Sequence, residues 1–219
     1  MTRKIFWVEP YRTEIATHVQ RVVGNDITVA ETIFFAFSGG QESDRGTIAD
    51  RPVREARAVD ADILYTLDDG HGCSPGDPVT IQIDWTRRYR LMRLHFAAEL
   101  VLELVGRRLP AIAKIGAHIA EDKARIDFQH PDNIAAILPD IASQVRAIVH
   151  ADQPIISAFA DESSGLRYWE IAGFSRVPCG GTHLKSTGEV GDIKLKRKNP
   201  GKAKERIEIH LEASLDRAG

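Results

Sequence analysis

Hydrophobic residues recur along this chain with two different periods, and the change falls near residue 88. Before it, short apolar stretches alternate with polar positions, the period of a half-buried strand. Residues 1–9 and 27–37 read as strands, with a turn at "GND" (24–26). The apolar segment Ile33 to Phe37 runs into "SGGQ", and a further strand is expected near Thr47–Ile48. "DILYTL" (62–67) and "PVTIQIDW" (78–85) are two more period-2 stretches. They are joined by "DDGHGCSPGD", whose Gly, Pro and Asp content marks a turn. Residues 1–87 are therefore expected to form a small antiparallel β domain.

From residue 88 onward, "RYRLMRLHFAAELVLELVGRRL" carries the longest helical pattern in the chain. Leu91, Leu94, His95, Ala98, Leu102 and Val105 share one broad face, and Pro110 follows the end. "IGAHIAEDKARIDFQ" (115–129) predicts a hairpin that turns near "ED". "PDNIAAILPDIASQVRAIVH" (131–150) predicts a second helix, capped by Asp132 and kinked at Pro139. "QPIISAFA", "LRYWEIAGF" and the pair "DIKLKRK" and "ERIEIHL" around "NPGK" complete an α+β domain over residues 88–219. The fold class expected is α+β, with the long helix packed on a sheet.

Composition agrees: 219 residues with 43% hydrophobic and 27% charged suit a folded chain with a sizeable core. No apolar run approaches the roughly 18 residues that a membrane span needs, so no membrane partner is expected. "MTRKIFWVEPYRTEI" meets charge within a few residues, unlike a secretory signal. Cys73 and Cys179 are accordingly expected to be reduced thiols in the cytoplasm.

The net charge of −2 points to no polyanion, but its distribution does. Residues 194–206, "KLKRKNPGKAKER", hold seven Lys/Arg against one Glu. "RRYRLMR" (87–93) holds four arginines and no acid. Arg87, Arg88, Arg90, Lys194, Lys196, Arg197, Lys198, Lys202 and Lys204 are the candidate contacts to nucleic-acid phosphates. The bland alternative for residues 194–206 is a solvated hairpin tip.

Candidate chemistry begins at "PCGGTH", where Cys179 and His183 stand four apart. The long helix has a pair at the same spacing, His95 and Glu99, which one helical face brings together. Two imidazoles, a thiolate and a carboxylate suit tetrahedral zinc, and Gly180 and Gly181 would let the loop bend toward the ion. Against this, a lone His on an apolar face is more often a hydrogen-bonded core residue, and a lone Cys a small hydrophobe.

Taken together, "DWTRRYRLMRLH", "PCGGTHLKSTGEVG", "FSGGQESDRGTI" (37–48) and "ARIDF" (124–128) resemble the AlaX-type alanyl-tRNA editing proteins, freestanding relatives of the alanyl-tRNA synthetase editing domain. The resemblance runs in order from about residue 28 to 212. It implies a zinc hydrolase, with no organic cofactor, that cleaves serine or glycine from mischarged alanine tRNA at its acceptor end. It implies ligands at His95, Cys179 and His183, and a substrate contact from Gly39, Gly40 and Gln41, with Thr182 beside His183. Gly180 and Gly181 would donate N–H groups to the oxyanion.

Two positions depart from the family pattern: Glu99 stands where histidine is usual, and Phe96 where threonine is usual. Glu99 is then either a fourth ligand, which its spacing favours, or general base to a water on a three-ligand ion. Phe96 removes one possible hydroxyl partner and implies an altered amino-acid preference. Other readings are a metal-stabilised RNA-binding module without hydrolysis and a zinc hydrolase of a small aminoacyl ester.

Overall fold

The computed structural model describes residues 1–212. The final seven residues of the α+β domain expected over 88–219 lie outside the described residues. The chain separates into two compact units, Met1–Arg90 and Leu91–Gly219.

In the first unit the strands are β1 (Arg3–Lys4), β2 (Glu14–Val23), β3 (Asp26–Val29), β4 (Glu31–Thr32), β5 (Gly46–Ile48), β6 (Arg51–Pro52), β7 (Glu55–Val59), β8 (Asp62–Thr66) and β9 (Pro78–Ile83). Seven of them form one antiparallel sheet in the order β6-β5-β9-β2-β3-β8-β7. β1 pairs in parallel with β4. The alternation expected of a half-buried strand is clean in β9, where Val79, Ile81 and Ile83 are buried and their neighbours exposed. The core gathers Ile15, Ile27, Phe34, Ile48, Tyr65 and Ile81.

Three expectations change here. β2, the ten-residue strand over Glu14–Val23, stands where the sequence pattern had marked none. The strand expected over 1–9 is cut to two residues, because Ile5–Trp7 turn into a 3-10 helix that buries Ile5 and Phe6. Ile33–Ala36 are buried without joining a ladder, and the Phe35 N–H donates to Asp44 at 2.7 Å.

The second unit holds the rest of α1 (Trp85–Arg108), then β10 (Ala113–Ile119), β11 (Ala124–Gln129), α2 (Leu138–His150), β12 (Ile156–Asp161), β13 (Leu166–Ile171), β14 (Ser175–Pro178), β15 (Ile193–Gly201) and β16 (Lys204–Leu211). One antiparallel sheet runs β10-β11-β16-β15 and a second runs β12-β13-β14. Mostly antiparallel sheets with two α-helices among the described residues make the protein α+β.

The helix α1 is not apolar on one face only. Met92, Phe96, Ala97, Leu100, Val101 and Leu104 are as buried as Leu91, Leu94 and Val105, which is the pattern of a helix enclosed by protein. The second helix also differs. Asn133 caps a 3-10 turn over Ile134–Ile137, and α2 starts only at Leu138. Pro139 therefore sits in the first turn, where a missing N–H removes no helical bond, and it kinks nothing.

Candidate metal centre

His95 lies on α1 amid buried neighbours, and Cys179 follows directly on β14, so a helix and a loop converge. The ligand atoms of His95, Cys179 and His183 lie within 4.8 Å of one another. His95 Nε2 is 3.3 Å from Cys179 Sγ, and the two imidazole centres are 5.4 Å apart. Both histidines are buried, at 5% and 3% exposure.

The loop is fixed from β13. The Cys179 N–H donates to the Arg167 carbonyl at 2.9 Å, and Arg167 Nη1 donates to the Gly181 carbonyl at 3.0 Å. Behind His183, Ser157 Oγ on β12 lies 2.9 Å from Nδ1. Phe96 is fully buried, edge-on to Trp169 at 5.2 Å and to His183 at 6.0 Å. The loop makes its bend without a positive φ at Gly180 or Gly181, so no left-handed backbone explains those glycines.

Burial sets the electrostatics. It pushes the Cys179 thiol up to about 12, reinforced by the charge of Glu99 and opposed by the Gly181 N–H, Arg167 and Lys114. It holds His183 well below the usual imidazole range, helped by His95 and Arg167. It lowers His95 too, with Glu99 acting against it and Lys114 with it. Both imidazoles are thus neutral near pH 7, the form that ligates metal.

A zinc ion fits these residues. His95 Nδ1 and His183 Nε2 are buried with no hydrogen-bond partner, a state that is expensive in a dry interior. If Nδ1–H of His183 donates to Ser157, Nε2 carries a lone pair that only an ion or an external donor would satisfy. A dication would also supply the charge that lets a buried thiol ionise. Two nitrogens and a sulfur are the donor set of such sites.

The remaining sequence candidates fall elsewhere. Glu99 is outside the group of three, and its Oε2 accepts a 2.9 Å hydrogen bond from the Trp169 indole. Thr182 is buried beside His183. Ser38–Gln41 form a tight turn, with Gly39 and Gly40 at φ 60° and 89° and Gln41 fully buried. That turn belongs to the first unit, and the His–Cys–His cluster to the second.

The arginines expected to face phosphate divide. Arg88 is fully buried against Asp44, with Nε at 2.8 Å, and it also donates to the Ile33 and Pro10 carbonyls. Arg87 is buried on Glu42 and the Ser43 carbonyl. Both tie their own unit together, and neither faces solvent. Arg197 binds Glu205 in a bidentate pair. Arg90, Lys194, Lys196, Lys198, Lys202 and Lys204 are exposed.

Sequence reading missed Ser157, Arg167 and Trp169. A signal existed for two of them: Arg167 stands in phase with Trp169 and Ile171 on β13, so an arginine occupies a core position. A lone serine on β12 carried none.

The fold and this cluster place the chain first in a class. Residues 166–208, from β13 through the loop into β16, match the threonyl and alanyl tRNA synthetase second additional domain. The chain is 30% identical to the alanyl-tRNA editing protein AlaX-M of Pyrococcus horikoshii, over 97% of this chain and 99% of that protein. It is 29% identical to the AlaX-M protein of Methanosarcina acetivorans, over 96% and 99%. It is 32% identical to the alanine–tRNA ligase of Ignicoccus hospitalis, over 89% of this chain but 24% of the ligase. The chain belongs to the AlaX-M family of alanyl-tRNA editing proteins.

Proposed function

We propose that the protein is a zinc-dependent deacylase of mischarged alanine tRNA, acting on seryl or glycyl esters. The observation that carries this reading is the buried His95–Cys179–His183 cluster in a chain of this family. These three residues would hold the ion and leave one position open, the arrangement of catalytic sites. Zinc bound there supplies Lewis acidity toward the scissile ester. In the hydrolysis, water oxygen bonds to the carbonyl carbon and the bond to the ribose oxygen breaks, that oxygen leaving with a proton.

The chain's own residues prepare the site. Ser157 orients His183, and Arg167 holds the loop by the Gly181 carbonyl. Phe96, backed by Trp169, packs against His183 and would shield that side from water. Gly180, exposed on this loop, and Gly181 are the candidate oxyanion donors. Lys194, Lys196 and Lys198 alternate on one exposed face of β15 and would position RNA phosphates without reading sequence. Among the described residues no helix is long and apolar enough to cross a membrane.

The test is a panel. Zinc-loaded protein is incubated with seryl-, glycyl- and alanyl-tRNA for alanine and with a small seryl ester. Faster release from seryl- or glycyl-tRNA than from alanyl-tRNA, abolished by a chelator and restored by zinc, is expected. Salt-sensitive tRNA binding with no ester cleaved would make it an RNA-binding module. Cleavage of the small ester alone would remove tRNA as the substrate.

A further inference from the structure

The carboxylate of Glu99 is the unexplained charge of this site. It follows His95 by one helical turn, yet it is not among the three ligands that draw together. Among the described residues its hydrogen-bond donor is an uncharged one, the Trp169 indole at 2.9 Å. Among the described residues no lysine or arginine forms an ion pair with it. Lys114, whose charge His95 and Cys179 also feel, is exposed on β10.

The indole that holds it is rigid. Trp169 is fully buried, edge-on to Phe96 at 5.2 Å and stacked with Phe174 at 6.5 Å. Glu99 itself is only half-buried, so a pinned carboxylate keeps solvent access beside the cluster. Burying part of a charge and leaving it unpaired is unfavourable unless a ligand completes it. Two kinds of ligand would: a metal ion or an organic cation. His95, Cys179 and His183 draw together without Glu99 and already make the donor set of a catalytic site, which leaves the second kind.

An aminoacyl ester offers the second kind of ligand. Its α-amino group is an ammonium ion at neutral pH and lies two bonds from the scissile carbonyl carbon. We propose that Glu99 is the receptor for this ammonium, binding it through a charge-assisted hydrogen bond while Trp169 holds the carboxylate in place. Glu99 is then a specificity residue that selects free aminoacyl esters over N-acylated ones. This inference rests on the deacylase reading and gives its site a substrate-recognition element.

The experiment compares wild type with Glu99→Gln, which keeps an oxygen for the indole N–H and removes the charge. The probes are seryl-adenosine with an amide in place of the ester, and its N-acetyl form; binding is measured by calorimetry on zinc-loaded protein. Zinc per chain is measured on both proteins. Wild type is expected to prefer the free amine by roughly 10- to 100-fold, the value of a hydrogen bond between charged groups. Glu99→Gln is expected to lose that preference while keeping its zinc. Loss of zinc from the variant would make Glu99 a ligand and overturn the proposal. Zinc and preference both retained would overturn it as well, and a fall in kcat alone would then assign Glu99 as base. Wild type that binds both probes equally sinks only the role of Glu99; wild type that binds neither sinks the deacylase reading and this role with it.

Discussion

His183 shows how one hydroxyl decides what a buried imidazole does. Its ring is held neutral by burial, and Ser157 fixes Nδ1 at 2.9 Å, so Nε2 is turned into the cluster. Partners of this kind orient a ligating ring, and removing one typically weakens metal binding about 10- to 100-fold. Ser157→Ala is accordingly expected to lower zinc affinity by roughly that factor in a protein that stays folded. A chelator competition titration measures it, and unchanged affinity would show the hydroxyl to be incidental. The three clustered candidates were legible because pairs at a spacing of four are visible in a sequence. Ser157 was not, because it comes from β12, far from either pair, and nothing local marks it.

Between elements, the pair Arg197–Glu205 ties β15 to β16, and a longer contact reaches the 3-10 turn before α2. Glu205 accepts from Arg197 at 2.7 Å and 2.5 Å, from Asn199 at 3.2 Å and from the Ile134 N–H at 3.4 Å. The Arg197 hydrogen bonds, against the opposing effect of burial, hold the carboxyl below its usual range. A depressed carboxyl binds fewer protons folded than unfolded, so its stabilisation is complete above the ordinary glutamate pKa. It is lost as pH falls through the lowered folded value. Glu205→Gln should therefore reduce stability near pH 7 by about 1–3 kcal/mol. It should also flatten the acid limb of a stability–pH curve from urea melts; parallel curves would refute the assignment. The charge run containing Arg197 read as a single basic patch. Strand alternation divides it, with Arg197 turned to Glu205 and the lysines on either side turned to solvent. The same reasoning moves Pro139 from a kink to a helix start, because only the fold shows which residue begins the helix.

For the molecule as a whole, a net charge of −2 hides a local basic stripe. Lys194, Lys196 and Lys198 are exposed on β15, an edge strand of its sheet. Replacing all three with alanine should lower the slope of log affinity for tRNA against log salt by about 2 to 3, since each phosphate contact contributes roughly 0.7–0.9. Hydrolysis of a small seryl ester should be unaffected. An unchanged slope would place the RNA on another surface.

The sequence by itself determined the α+β class, the family and the identities of three clustered residues, because period, spacing and motif are properties of neighbours along a chain. The fold alone decided that Arg88 is a buried partner of Asp44, that Arg167 holds the Gly181 carbonyl, and that Glu99 is held by Trp169. Each of those depends on which distant segment supplies the partner and how far the side chain is from water. Burial and pairing between remote residues are not written in local pattern. They arise when helix α1 and the Cys179 loop meet around His95, where the low dielectric turns ordinary side chains into neutral imidazoles and a high-pKa thiol.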